Sequence, residues 1–328
     1  NHVSATVFDG KMLVNKLSRR IRRDADRLRN QHHIDVGLGI LLITGDQVAM
    51  ADSGKINALA EQSGIQVQTE RVAQRNVARK FYPTLEEYAA SPFIQGIYIQ
   101  LPLPTEVVPL DEVMKRLPPE KDVGGLHYVN RGMSTYAPHE TGTQILPPEI
   151  LAVVETLKQN SFELRGGKVV IVASEATAGL VKILAGHLFD KGCNVRILRY
   201  SNISRASDEQ GAPRLKGFEE EKAVEDTIIN PEGEAVIAWA NHSKWLTSSR
   251  LVPKSIVVDM GYKFARGAVS GDCDFPGVSR TASLITPVPG GVRNITHVII
   301  LQNLITLIQV QLDQQIEQMG EGLKRRFM

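Results

Sequence analysis

Leu13, Leu17, Ile21, Ala25 and Leu28 recur at spacings of three and four, which predicts an amphipathic first helix. Residues 36–43 form a short continuous apolar run, the pattern of a strand buried on both faces. Residues 53–62 read as helix and 94–100 as another strand. That strand stops at Leu101-Pro102-Leu103-Pro104, because proline has no N–H to give to a ladder. A second series begins after Pro147-Pro148: helix 150–157, strand 168–173, helix 177–189, strand 194–198, then strands 235–239 and 255–260. Strands alternating with helices predict parallel pairing and an α/β fold. The most apolar stretch, 295–312, is interrupted by Thr296, His297, Gln302, Asn303, Thr306, Gln309 and Gln311. It reads as a buried helix and not as a membrane span.

The 328 residues suggest two domains at about 150 residues each. With 42% hydrophobic and 23% charged residues, wholesale disorder is excluded. Two cysteines, Cys193 and Cys273, exclude a disulfide scaffold or a multi-cysteine zinc site and fit a reducing compartment. Both read as core residues. The eight histidines, among them His32-His33, His127, His139, His187, His242 and His297, show no metal-ligand spacing, so no metal is expected. A net charge of +2 does not argue for nucleic acid. Locally, however, residues 11–29 carry eight basic side chains (Lys11, Lys16, Arg19, Arg20, Arg22, Arg23, Arg27, Arg29) against Asp24 and Asp26. A further basic stretch, Lys324-Arg325-Arg326, lies near the end. Residues 201–230 form a long polar segment, and segments of that length are usually functional or disordered. The first residue is Asn, so a processed or incomplete N-terminus is expected.

Several motifs together resemble the bifunctional methylenetetrahydrofolate dehydrogenase/cyclohydrolase family, FolD. Asp9-Gly10-Lys11 matches its opening, and Tyr98-Ile99-Gln100-Leu101-Pro102-Leu103-Pro104 its Val-Gln-Leu-Pro-Leu-Pro signature. Lys121-Asp122-Val123-Gly124-Gly125 resembles Lys-Asp-Val-Asp-Gly. Val257-Val258-Asp259-Met260-Gly261, Gly271-Asp272-Cys273 and Thr286-Pro287-Val288-Pro289-Gly290-Gly291-Val292 follow in family order. The resemblance implies two α/β lobes: 1–147, of folate/catalytic type and joined by a returning helix 293–320, and 148–292, a Rossmann-like NAD(P)-binding domain.

It also implies site residues. The family reaction needs a lysine preceded by a tyrosine four residues earlier, a glutamine contacting that lysine, and an aspartate on the pterin. Lys55 is the match for the lysine, but Ala51 stands in the tyrosine's place and the segment 45–55 is about two residues short. Lys55 is read either as that lysine or as a solvated helix lysine. Gln100 is read either as its contact or as a polar strand end. Asp122 is retained as a substrate-binding candidate, while Gly124 replaces the pterin aspartate. Pro289, Gly290 and Gly291 are further substrate-side candidates. For the nucleotide, Ser174 and Gly179 are the candidates, in two alternative registers. One places Val172 and Ala178 at the family's glycines; the other recovers Gly179 but puts Ala173, Ser174 and Glu175 at glycine, arginine and serine. Both lose the arginine and the closing proline. Glu175 adds negative charge where phosphate would sit. The family's later Gly-x-Pro segment appears as Asn241-His242-Ser243, and Arg293 replaces a ligand-side glycine.

Two readings stay open. In the first, a non-catalytic FolD-like chain is a structural or interaction subunit of a larger assembly, with no cofactor. Its partners are protein subunits, and RNA through the Lys11–Arg29 helix. A mitochondrial ribonucleoprotein such as the mitochondrial ribosome is the specific expectation, with the cytoplasm as the other compartment. In the second, the chain is an active dehydrogenase/cyclohydrolase using NADP or NAD. The resemblance also implies a homodimer through the second lobe.

Overall fold

The computed structural model describes residues 4–104, 106–136, 145–200, 228–265 and 267–326. Residues 201–227 of the long polar segment, and His139, lie outside the described residues. In chain order the elements are β1 (Thr6–Val7), α1 (Lys11–His32), β2 (Gly37–Ile43), α2 (Gln47–Gln62) and β3 (Gln66–Val72). A 3-10 turn and a π turn lead to α3 (Tyr82–Ala90), β4 (Gly96–Ile99), α4 (Leu110–Met114), α5 (Tyr128–Tyr136) and α6 (Pro148–Gln159). Then come β5 (Lys168–Ala173), α7 (Ala178–Asp190), β6 (Asn194–Arg199), β7 (Ala235–Trp239) and β8 (Ile256–Asp259). The hairpin β9 (Lys263–Ala265) and β10 (Ala268–Ser270), α8 (Phe275–Thr281), β11 (Leu284–Ile285) and α9 (Val292–Arg326) complete the order. The chain divides into two compact units, residues 11–152 with 294–328, and residues 1–10 with 153–293.

In the first unit, β2 lies between β3 and β4 in a parallel sheet. Every residue of β2 is buried, which is why its sequence runs apolar without alternation. On α1 the buried residues are Leu13, Leu17, Ile21, Ala25 and Leu28, the stripe its periodicity predicts. Helix α2 begins six residues before the expected start. Asp46 Oδ1 accepts from Val48 N at 2.8 Å and Ala49 N at 3.0 Å and so caps it. Strand β3 has no clear period in its sequence because it is an edge strand, mostly exposed or half-buried.

Helix α9 returns to this unit. A Cβ on Gly96 would stand 2.5 Å from both Leu304 Cδ1 and Val123 Cγ1, so β4 and α9 meet where only glycine fits. Buried Asn303 donates to Val123 O at 2.9 Å and to Leu146 O at 3.0 Å. The stretch Val292–Ile316 is long and apolar enough to cross a membrane. Yet Ile295, Val298, Ile299, Ile300, Leu301, Leu304, Ile305, Leu307 and Ile308 are buried inside the protein, as a core helix requires.

The second unit is built on a parallel six-stranded sheet ordered β1-β11-β8-β7-β5-β6. Its core joins Val170 and Val172 of β5 to Val236 and Ala238 of β7, Val257 of β8 and Ile285 of β11. The sequence reading placed residues 1–10 with the first lobe. Instead β1 pairs with β11, Thr6 opposite Leu284 and Val7 opposite Ile285, and adds an edge strand here. Two residues are too few to display a period, so the sequence gives no sign of this strand.

Asn303→Ala is expected to leave two buried carbonyls without donors and to cost about 2–4 kcal/mol. Urea unfolding measures this. A cost below about 1 kcal/mol would mean that water reaches both carbonyls.

Candidate functional site

Helix α2 turns Ala49, Asp52, Ser53, Ile56 and Ala60 inward. The inward pair one turn apart is therefore Asp52 and Ile56, an acid and an apolar side chain. Ala51 and Lys55 lie on the exposed side. Asp52 is not free to act on a ligand, because His297 Nε2 lies 3.0 Å from its Oδ1 and both side chains are buried. Lys55 instead lines a cleft of about 390 Å³ bounded by α1, α2 and the start of α9. Gln100 is not among the residues lining that cleft. It sits just past β4, 4% exposed, with Nε2 donating to Leu101 O at 3.0 Å. Its Oε1 is buried and has no hydrogen-bond partner among the described residues. The structure thus does not bring Lys55 and Gln100 to one cleft.

Lys121 and Asp122 hold the backbone. Lys121 Nζ donates to the carbonyls of Ala89 at 2.8 Å and Ser91 at 2.7 Å, closing the end of α3, and burial holds its pKa below the usual lysine range. Asp122 Oδ2 accepts from His127 N at 2.8 Å and from Asn130 Nδ2 at 2.9 Å, fixing the approach to α5. The substrate candidate Asp122 is thereby engaged inside its own unit. At Gly124 a Cβ would meet Tyr98 and Asp122 only at ordinary contact distances of 3.5–3.6 Å, so the position has space but presents no carboxylate.

In the second unit the nucleotide candidates flank the β5–α7 turn. Ser174 N donates to Thr177 Oγ1 at 3.1 Å, and Thr177 Oγ1 donates to Trp239 O at 2.5 Å. Thr177 N and Ala178 N bond to Ser174 O and Glu175 O. The amides of Ser174, Thr177 and Ala178 thus close on the turn itself, whereas a phosphate turn directs such amides at its ligand. Glu175 is exposed at the helix start, and Gly179 faces open space. These residues do not fit a dinucleotide's phosphates. Thr177, which pins the turn to the end of β7, was not found from the sequence; a threonine three residues after Ser174 is its only signal.

Around the ends of β7 and β8 two buried carboxylates gather amides. Asp272 accepts from the amides of Ala240 (2.5 Å), Asn241 (3.2 Å) and His242 (2.8 Å). Asp259 accepts from Gly261 (2.9 Å), Asp272 (3.0 Å) and Cys273 (2.9 Å). Burial pushes Asp259 up to about 6 and raises Asp272, while the amide bonds pull each back. Burial also raises both cysteine thiols, in line with core roles. At the mouth of the sheet, the Tyr200 ring stacks on His242 at 4.0 Å. Arg293 lies over the Tyr262 ring at 3.9 Å. Of the remaining candidates, Gly290 and Gly291 take positive φ, and a Cβ on Gly291 would stand 2.7 Å from Pro287 O. That loop needs glycine for its own turn. Pro289 precedes it, exposed. Among the described residues no cluster could hold a metal.

The sequence pattern of the tetrahydrofolate dehydrogenase/cyclohydrolase catalytic domain matches residues 8–124, and that of the family's NAD(P)-binding domain matches residues 221–312. The chain belongs to this family. It is 26% identical over 309 residues to bifunctional protein FolD 2 of Desulfitobacterium hafniense, covering 94% of this chain and 98% of the relative. It is 27% identical to bifunctional protein FolD of Chloroflexus aurantiacus, covering 94% and 99%. The FolD crystal structure from Campylobacter jejuni superposes with a TM-score of 0.76 at 23% identity, covering 93% of this chain and 99% of that one. The Trypanosoma brucei FolD structure, complexed with NADP and an inhibitor, gives 0.77 at 19% identity, covering 94% and 99%. The match to the family's NAD(P)-binding pattern begins after the β5–α7 turn, so Ser174 and Gly179 lie outside it.

Asp259 gives a test of how these motif carboxylates work. An acid whose folded pKa is raised contributes most stability below its unfolded value near 4, and loses that contribution as pH rises through about 6. Asp259→Asn removes this dependence and sets an NH₂ against an amide, costing about 1–3 kcal/mol at pH 7. The stability gap between the native chain and the variant should widen as pH falls from 7 to 4. Urea midpoints across that range measure it, and a narrowing gap would contradict the assignment.

Proposed function

We propose that this chain keeps the family's fold without its hydride-transfer and cyclohydrolase chemistry, and serves as an interaction subunit of a larger assembly. The observation that carries this reading is the buried Oε1 of Gln100, which has no hydrogen-bond partner among the described residues. In the family this glutamine contacts the catalytic lysine, whereas here Lys55 is exposed at a cleft that Gln100 does not line. The closed β5–α7 turn and the missing carboxylate at Gly124 support the same reading.

For the assembly, helix α1 supplies the contact. Arg20 and Arg27 lie within ion-pair distance of Asp24, and Arg29 of Asp26 and Asp35. Lys16, Arg19 and Arg23 share an exposed face and have no ion-pair partner among the described residues. Our reading places RNA phosphate against them, and takes the mitochondrion as the compartment by analogy with mitochondrial members of the family.

An active enzyme with a rearranged site is the second reading. It is favoured by similarity to proteins named bifunctional FolD along 94% of this chain, and by the open space over Gly179 among the described residues. It needs the β5–α7 turn to open for NADP or NAD, and Lys55 to reach Gln100.

Purified protein should show no NADP⁺- or NAD⁺-dependent oxidation of methylenetetrahydrofolate, read as reduced nicotinamide absorbance. Gly124→Asp should fold with a loss of at most about 1 kcal/mol, because its Cβ has room, and should not restore turnover. Turnover abolished by Lys55→Ala would sink the proposal in favour of the second reading. In native lysate the chain should sediment with a large particle and leave it as salt rises. Charge reversal at Arg19 and Arg23 should release it; sedimentation only as a monomer or dimer would count against the assembly role.

A further inference from the structure

The cleft beside Lys55 lies wholly within the first unit and is absorbed by neither reading above. At about 390 Å³ it falls within the size range of small-molecule sites. Lys11 and Lys55 both line it, and no carboxylate does. Lys55 has no hydrogen bond or ion pair among the described residues. The nearby acid, Asp52, faces His297, whose buried ring is thereby fixed as part of the wall. The cleft is also charged by its backbone. Lys11 is the first residue of α1 and Asn294 the third of α9, so two long helices bring their positive ends to it. Val14 and Leu59, both half-buried, give it an apolar side.

We propose that this cleft binds a small organic anion. Its carboxylate or phosphate head lies toward Lys11, Lys55 and the helix ends, and its apolar body lies on Val14 and Leu59. The charge pattern excludes a cation, and the apolar side favours a ligand with a carbon body over a bare inorganic ion. Binding of this kind is independent of turnover, so it stands or falls apart from the hydride-transfer assay.

Calorimetric titration of the full chain with phenyl phosphate, benzoate and the neutral benzamide tests the idea. At least one anion should bind, about tenfold or more tightly than benzamide. Binding by phenyl phosphate alone would assign a phosphate head, and by benzoate alone a carboxylate head. Lys55→Met, an exposed change, should weaken the anion about tenfold while leaving the thermal midpoint in place. Leu59→Trp should weaken it by filling the apolar side. The proposal is overturned if benzamide binds as well as both anions, if neither anion registers at millimolar concentration, or if Lys55→Met binds like the native chain.

Discussion

A polar atom removed from water must be given another partner, and this constraint sorts the residues of both units. Asn303 gives its two N–H groups to two carbonyls and so ties α9 to the chain around β4 and the start of α6. Lys121 closes the carbonyl end of α3, Asp122 fixes the start of α5, and Thr177 ties one turn to a neighbouring strand. Asp259 and Asp272 together take six amide bonds from loops that would otherwise bury unpaired N–H groups. Each of these side chains is spent on backbone, and none of its engaged atoms is left to hold a substrate.

The same constraint explains why so many of the motif residues are tied to backbone. Lys121 and Asp122 belong to the Lys-Asp-Val motif, Asp259 to Val-Val-Asp-Met-Gly, and Asp272 with Cys273 to Gly-Asp-Cys. Thr286, which opens the late Thr-Pro-Val-Pro motif, accepts from Asp259 N at 2.8 Å. The residues that make the family recognisable are in large part those that satisfy buried backbone, and removing them would endanger the fold whether or not a reaction runs. Gln100 is different from these: its Oε1 meets no hydrogen-bond partner among the described residues.

The sequence made the buried elements legible and concealed the ones set by local hydrogen bonds. Strands 168–173 and 235–239 match their apolar runs to the residue, because a strand covered on both faces has no room for polar interruptions. The α1 stripe was equally plain. By contrast the first turns of α2 depend on a single aspartate oxygen at Asp46, and β1 on pairing with a strand some 278 residues away, neither of which leaves a periodic trace. The site was less legible still. The family resemblance pointed to position 55 as the lysine, but the rotation of α2 turns positions 52 and 56 inward, and rotation is set by packing that lies far off in the chain.

The contact between Asp52 and His297 spans 245 residues, and it shows how far the inward face of α2 has been committed. An ammonium at position 56 would enter a site that is now fully buried and filled by an isoleucine side chain. It would need desolvation of its charge beside an aspartate already hydrogen-bonded to histidine, and burying a charge without dedicated partners is among the costliest changes a core can suffer. A tyrosine at 52 would remove the acceptor of buried His297. Placing a lysine at 56 or a tyrosine at 52 therefore disturbs the wall formed by α2 and α9 together. These positions are coupled through packing, so a single substitution on this face disturbs the contact between α2 and α9 as well.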